Sequence, residues 1–348
     1  MILKYFTDAN SAAGYVSLQN DNLTGITKIY HLRSPDDKLT HNLLEQLSFL
    51  LVPRRLTSEY VFSTFNPDLL ASLVIRELSV AFTSGKIVPK DAQVIDLMPV
   101  YDRLILEKNK DDIHVLGKSM KESYQKMYMH FNAALHVHDE WEKIYIDRMD
   151  FKKADQFKKD LITQLFDTSI PANGLGSRLT RRFFGASTPD GLRDFISELT
   201  AGSKRYLIKG RPGSGKSTLM KQVVEKAIEL GYDADVYHCS LDPKSLDMVV
   251  IPELNFCIFD ATSPHEYEPV FITDEIIDTY DAFIKEGTDE RCSSILKEIE
   301  ARYYNQIKSA CVAMKVGHEI RAKIGHIYHD ALVEEQFDIA LSELIQFL

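Results

Sequence analysis

A chain that repeats itself must fold as two copies of one architecture, and this one repeats itself over nearly its whole length. FNPDLLASLVIRELSVAFTSG, from Phe65, matches LDPKSLDMVVIPELNFCIFDA, from Leu241, at a constant offset of 176. Pro67 falls on Pro243, Leu70 on Leu246, Val74-Ile75 on Val250-Ile251, and Glu77-Leu78 on Glu253-Leu254. Upstream, Gly14, Gly25 and Pro35 fall on Gly191, Gly202 and Pro212 at offset 177. Downstream, VYDRLI from Val100 matches TYDAFI from Thr279 at 179, and Gln156-Phe157 matches Gln336-Phe337 at 180. The expected organisation is a tandem duplication, with units at 1–170 and 171–348. Their boundary falls in SIPANGLGSRL, Ser169 to Leu179, where Pro, Asn and small residues break the apolar pattern.

Each unit reads in two parts. RYLIKG, STLMKQVVEKAIELG, ADVYHCS and NFCIFDAT give strand, helix, strand, strand with Gly punctuation. That order predicts an α/β fold built on a parallel sheet. A helical appendage follows: Ile295, Ile299, Tyr303, Ile307, Cys311 and Met314 recur every three or four residues, as a helix–helix seam does. The matching stretch of the first unit runs from about Asp112 to Phe166.

Composition narrows the class. With 45% hydrophobic and 26% charged residues, the chain is ordinary globular material. A net charge of −10 argues against a broad grip on nucleic acid. The opening shows no signal peptide and no eighteen apolar residues run together, so a cytoplasmic protein is expected, with no membrane partner. Cys239, Cys257, Cys292 and Cys311 contain no CxxC pair and read as reduced thiols.

One motif is strong. Gly210-Arg211-Pro212-Gly213-Ser214-Gly215-Lys216-Ser217 fits GxxxxGK[ST], follows the apolar run Tyr206-Leu207-Ile208 and opens a helix. This is the context of a P-loop, or Walker A, whose glycines let backbone N–H groups cradle phosphates. Lys216 is expected to reach the β- and γ-phosphates of ATP, and Ser217 to ligate Mg²⁺. Thr218, next in line, packs or caps. Phe256-Cys257-Ile258-Phe259-Asp260 fits a Walker B strand, its acid holding the metal. Lys216 and Asp260 are therefore the expected catalytic pair. Ala261 stands where motor-type ATPases place a water-activating Glu. Asp242, Asp247, Glu253, His265 and Glu266 are candidates for that role, although Asp242-Pro243 also suits a turn and Asp247 a helix cap.

The first unit reads as a broken copy. At offset 177, Arg33 stands for Gly210, Asp36 for Gly213, Lys38 for Gly215 and Leu39 for Lys216; Ser84 stands for Asp260 at 176. The expected role of this unit is structural, packing on the second as a pseudo-dimer.

These motifs resemble a family of uncharacterised bacterial tandem P-loop ATPases. The resemblance is carried by YFTDANSAAGYVSLQNDNLTGI at the start, IKGRPGSGKSTLMK, VYHCSLDPKSLDMVVIPEL and FDATSPHEYEP. It runs through nearly the whole chain and implies two fused P-loop units and ATP binding. Relatives commonly keep a phosphate loop in the first unit too, from which this chain departs.

Other signals are weaker. Asn109-Lys110-Asp111-Asp112 spells NKxD, but among charges and beside the broken loop. His136 and His138 point to different helix faces; His326 and His329 lack further ligands for a metal. Arg178, Arg181 and Arg182 read as a solvated linker, with a phosphate or nucleic-acid contact as the alternative, and arginine fingers reaching across the pseudo-dimer are an alternative for Arg54-Arg55. Three functions are left: Mg-dependent ATP hydrolysis that moves the helical parts, a small-molecule or nucleotide kinase, and a nucleotide-gated scaffold. No arginine lies between Pro264 and Glu290, which weighs against a kinase lid.

Overall fold

The computed structural model describes residues 2–348 apart from 169, 173, 175, 264 and 265. In the first half, strands β1 (Ile2–Tyr5), β2 (Asp8–Ser11) and β3 (Gly14–Ser17) precede helix α1 (Gln19–Asn22). Next come β4 (Lys28–Arg33), α2 (Asp37–Leu51), β5 (Ser58–Phe62), β6 (Leu70–Ile75), β7 (Val80–Thr83) and β8 (Gln93–Asp96). Helices α3 (Arg103–Lys108), α4 (Lys110–Ile146) and α5 (Phe151–Leu165) close it. The second half repeats the order. It runs β9 (Leu179–Arg182), β10 (Gly185–Thr188), β11 (Gly191–Asp194), α6 (Ile196–Leu199), β12 (Lys204–Lys209), α7 (Lys216–Leu230), β13 (Ala234–His238), β14 (Leu246–Ile251), β15 (Phe256–Asp260) and β16 (Glu275–Asp278). Then follow α8 (Thr279–Phe283), α9 (Thr288–Arg291), α10 (Ser293–Asp330) and α11 (Glu334–Ile345).

Each half builds a six-stranded sheet of the same topology, β1-β5-β6-β7-β4-β8 and β9-β13-β14-β15-β12-β16. Even the irregularities coincide: the register shifts at Val61/Phe62 in one sheet and at Tyr237/His238 in the other. The sheets are mixed rather than wholly parallel, because β6 and β14 run antiparallel to both neighbours. Their connections to the next strand are one tight turn, closed by left-handed Ser79 and Asn255 (φ 54° and 51°). So short a link cannot make the crossover that a parallel pair requires.

The halves meet about a pseudo-twofold. Phe6 and Phe183, equivalent in the repeat, exchange backbone hydrogen bonds of 2.9 and 2.8 Å. Such self-complementary pairing is the mark of an isologous contact. Helices α4 and α10, 37 and 38 residues long, pair along their length. Ser123 Oγ donates to the Ala313 carbonyl, and the related pair His130 Nδ1 and Gln306 Oε1 meet at 2.8 Å.

Beyond these helices the chain changes sides. Asp150 N–H donates to the Phe283 carbonyl (2.8 Å) and Lys285 N–H to that of Arg148 (3.0 Å). The mirror pairs are Val333 to Val100 (3.0 Å) and Asp102 to Ala331 (2.7 Å). Consequently Leu161 and Leu165 of α5 complete the second half's core around Leu219 and Val223 of α7, while Tyr328 and Leu344 join Leu43 and Leu47 of α2 in the first. Each half's core is closed by the other half's last helix. No helix among the described residues is long and apolar enough to cross a membrane.

Candidate functional site

Strand β12 buries Tyr206, Leu207 and Ile208, and α7 buries Leu219, Met220, Val223 and Ala227 at helical spacing. Between them the chain turns through Gly210 to Gly215, with Gly213 and Gly215 left-handed (φ 74° and 86°). Side chains with a Cβ resist that conformation. Ser214 fixes the turn from inside: fully buried, its Oγ accepts the Arg211 N–H (3.2 Å) and meets Thr279 Oγ1 at 2.8 Å. Thr279 Oγ1 in turn donates to the Lys209 carbonyl (2.9 Å). Arg211 is held away by Asp289 (Nη2–Oδ2 2.9 Å) and lies over the Tyr280 ring.

Strand β15 pairs in parallel with β12, setting Asp260 opposite Ile208. Lys216 Nζ lies 3.5 Å from Asp260 Oδ2 and donates to the Arg211 carbonyl (3.0 Å). Asp260 Oδ1 accepts the backbone N–H (3.0 Å) and hydroxyl (2.5 Å) of Thr262. Ser217 Oγ accepts the Leu246 N–H at 3.0 Å, and Thr218 lines the cavity beside it. The residues expected to act together are therefore brought together. They form one wall of a cavity of about 1200 Å³.

The opposite wall comes from the first half. Helix α4 crosses the loop so closely that a Cβ on Gly213 would sit 2.6 Å from the Glu142 carbonyl oxygen. One turn earlier, His138 enters the same cavity, with Nδ1 3.8 Å from Glu142 Oε1 and its ring 5.9 Å from that of Tyr303 on α10. Burial lowers the His138 pKa first, Glu142 raises it and Lys216 lowers it again. Donor atoms of His138, Asp139 and Glu142 converge within 4.8 Å. Sequence reasoning missed this wall. The i, i+4 spacing of His138 and Glu142 was visible, but nothing in the sequence set α4 over the other unit's loop.

The other candidates separate. Asp242 Oδ1 and Oδ2 accept from Lys244 N–H (3.2 Å) and Ser245 Oγ (3.0 Å), closing its own turn. Asp242 still lines the cavity, as do Asp247 and Glu266; Glu253 accepts the Asp233 N–H (3.0 Å) outside it. His265 lies outside the described residues. Arg182 is neither solvated nor a phosphate contact: it is 1% exposed, stacked on Tyr5 and 3.4 Å from Glu59. Arg54 donates to the Leu348 carbonyl (3.0 Å), and neither it nor Arg55 lines the cavity.

The first half's loop differs from the offset-177 alignment. Only Ser34, Pro35 and Asp36 separate β4 from α2, against Gly210 to Gly215 in the second half. Helices α2 and α7 are both 15 residues long, so Asp37, not Leu39, stands at the place of Lys216. Asp36 caps α2 by accepting the Lys38 N–H (2.9 Å). Asp37 is held by Arg321 of α10 through two bonds of 2.6 and 2.7 Å. The cavity there measures about 150 Å³.

No family model, curated protein or solved structure matches this chain.

Proposed function

We propose that the chain binds Mg·ATP on the second half's glycine-rich loop and hydrolyses it, the P-loop ATPase reading to which the sequence resemblance also leads. The observation that carries this is the meeting of Lys216 and Asp260 at the first turn of α7, beside a loop whose glycines hold left-handed conformations. Inward N–H groups, a helix N-terminus and one lysine suit a polyphosphate. Ser217 and Asp260 would hold the Mg²⁺, which supplies charge neutralisation on the β- and γ-oxygens. Lys216 exchanges Asp260 for the phosphates as the nucleotide enters. Because α4 rests on Gly213, movement of the loop is passed to the long helices.

A second reading has its own observation. A cavity of about 1200 Å³ exceeds the ~300–1000 Å³ of ordinary ligand sites. The spare room suits a small acceptor and hence phosphoryl transfer. Phosphate release by the purified chain, with and without candidate acceptors, tests both. Release without acceptor supports hydrolysis; release replaced by a phosphorylated acceptor supports transfer. Tight binding with neither identifies a nucleotide-gated scaffold.

A further inference from the structure

We infer that His138, with the Glu142 carboxylate beside it, activates the attacking water in the second half's cavity, so that the first half supplies the base which the Asp260 strand lacks. The inference rests on the hydrolysis reading above. Three observations carry it.

The first is position. His138 and Glu142 line the cavity across from Lys216, and the Glu142 backbone touches the loop itself. The second is the sequence around the metal acid: Ala261 follows Asp260 where a water-activating Glu would stand, and of the other carboxylates lining the cavity, Asp242, Asp247 and Glu266, the first closes its own turn.

The third is an internal comparison. Bridges Tyr101–Leu332 and Met149–Ile284 relate the long helices by an offset of 183, which sets Phe131 on Met314 and Tyr145 on Tyr328, all buried. By that offset His138 falls on Arg321, Asp139 on Ala322 and Glu142 on Gly325. Where the loop has lost its lysine, the facing helix also lacks the histidine and both acids.

In the step proposed, a water oxygen bonds to the γ-phosphorus as the bridging P–O bond breaks, its electron pair leaving on ADP. The water proton passes to His138 and then to solvent. Asp139 and Glu142 face the ring from its own helix, Lys216 from α7, Asp242 from the β13–β14 connection and Tyr303 from α10. Burial favours the neutral imidazole that can take a proton.

The test uses the full chain, with phosphate release for turnover and ADP calorimetry for binding. His138→Ala is expected to lower kcat about 100-fold or more, the usual contribution of a general base. ADP affinity should stay put and added imidazole should restore part of the rate. Glu142→Gln should lower kcat less, and His136→Ala, on the other helix face, should match wild type. Unchanged kcat in His138→Ala, a loss that tracks ADP affinity, or a loss that imidazole does not relieve overturns the inference while leaving hydrolysis standing. Absence of turnover in wild type overturns the hydrolysis reading instead, and this inference with it.

Discussion

The Glu142 carbonyl lies against Gly213, and the corresponding crossing in the other half sets Gly325 of α10 against Asp36 with the residue sizes exchanged. A Cβ on Gly213 would meet Glu142 oxygen at 2.6 Å, in a left-handed residue; one on Gly325 would meet Asp36 Oδ1 at an ordinary 3.8 Å. Opposite outcomes are expected. Gly213→Ala should cost about 1–3 kcal/mol from backbone strain alone and push α4 off the loop. Gly325→Ala, inside a helix, should gain about 1 kcal/mol. Denaturant unfolding of the two variants measures both.

In the proposed site the Lys216 ammonium makes a charge-assisted contact to the phosphates. Lys216→Ala is expected to weaken ATP binding by about 1.5–3 kcal/mol. Calorimetry with a slowly hydrolysed analogue reads this directly, and equal affinity would remove the loop from the binding site.

Asp260→Asn keeps the shape and the bonds from Thr262 while removing the charge beside Lys216. Turnover should fall much more than Mg-free nucleotide binding. Equal phosphate release would give the metal role to another carboxylate, with Asp247 and Glu266 on the same cavity wall.

The duplication was legible because buried strands repeat their apolar pairs, Val74-Ile75 and Val250-Ile251 among them. Strand direction was not, since alternation looks alike either way along a strand. The shortened loop was hidden by compensation. The first half has three fewer residues before α2 and three more after it, taken up by the turn Val52–Arg54, so the offset returns to 176 by β5. Lys216, Ser217 and Asp260 could be grouped from the sequence because each sits at a strand or helix end that a local pattern marks. The position of His138 could not be, because it depends on which half its helix crosses.

Arg182 binds the halves together. Its guanidinium lies between Glu59 (3.4 Å) and Asp235 (3.8 Å), and Asn22 Oδ1 accepts from its Nε at 2.8 Å. Glu59 keeps Arg76 (Nε–Oε1 2.5 Å), but Arg182→Leu removes the buried cation beside Asp235 and should cost about 3 kcal/mol, the low end for a broken buried pair. Despite burial, Arg182 and the Thr180 hydroxyl hold the Asp235 pKa below its usual range. Asp235 therefore contributes stability above its unfolded pKa of about 3.9, lost as pH falls toward the folded value. Asp235→Asn should flatten the acid limb of a stability–pH curve below about pH 4; an unchanged limb would assign that limb to other carboxylates.

Nucleotide should bind once per chain, in the second half alone. In the first half the loop is three residues long, which leaves no ring of inward N–H groups. Asp36 already occupies the helix N-terminus, and Asp37 puts a carboxylate where Lys216 stands in the other half. Arg321 is consumed in neutralising Asp37, and Ser84, in place of Asp260, donates to the Ala71 carbonyl (2.9 Å). A cavity of about 150 Å³ is too small for a triphosphate nucleotide. Like charge at close range and missing volume act in the same direction, so no single substitution should restore the site. Titration with a slowly hydrolysed ATP analogue is expected to give a stoichiometry near one, with that single site weakened in Lys216→Ala. A stoichiometry of two that drops to one in that variant would show a second nucleotide held by the first half.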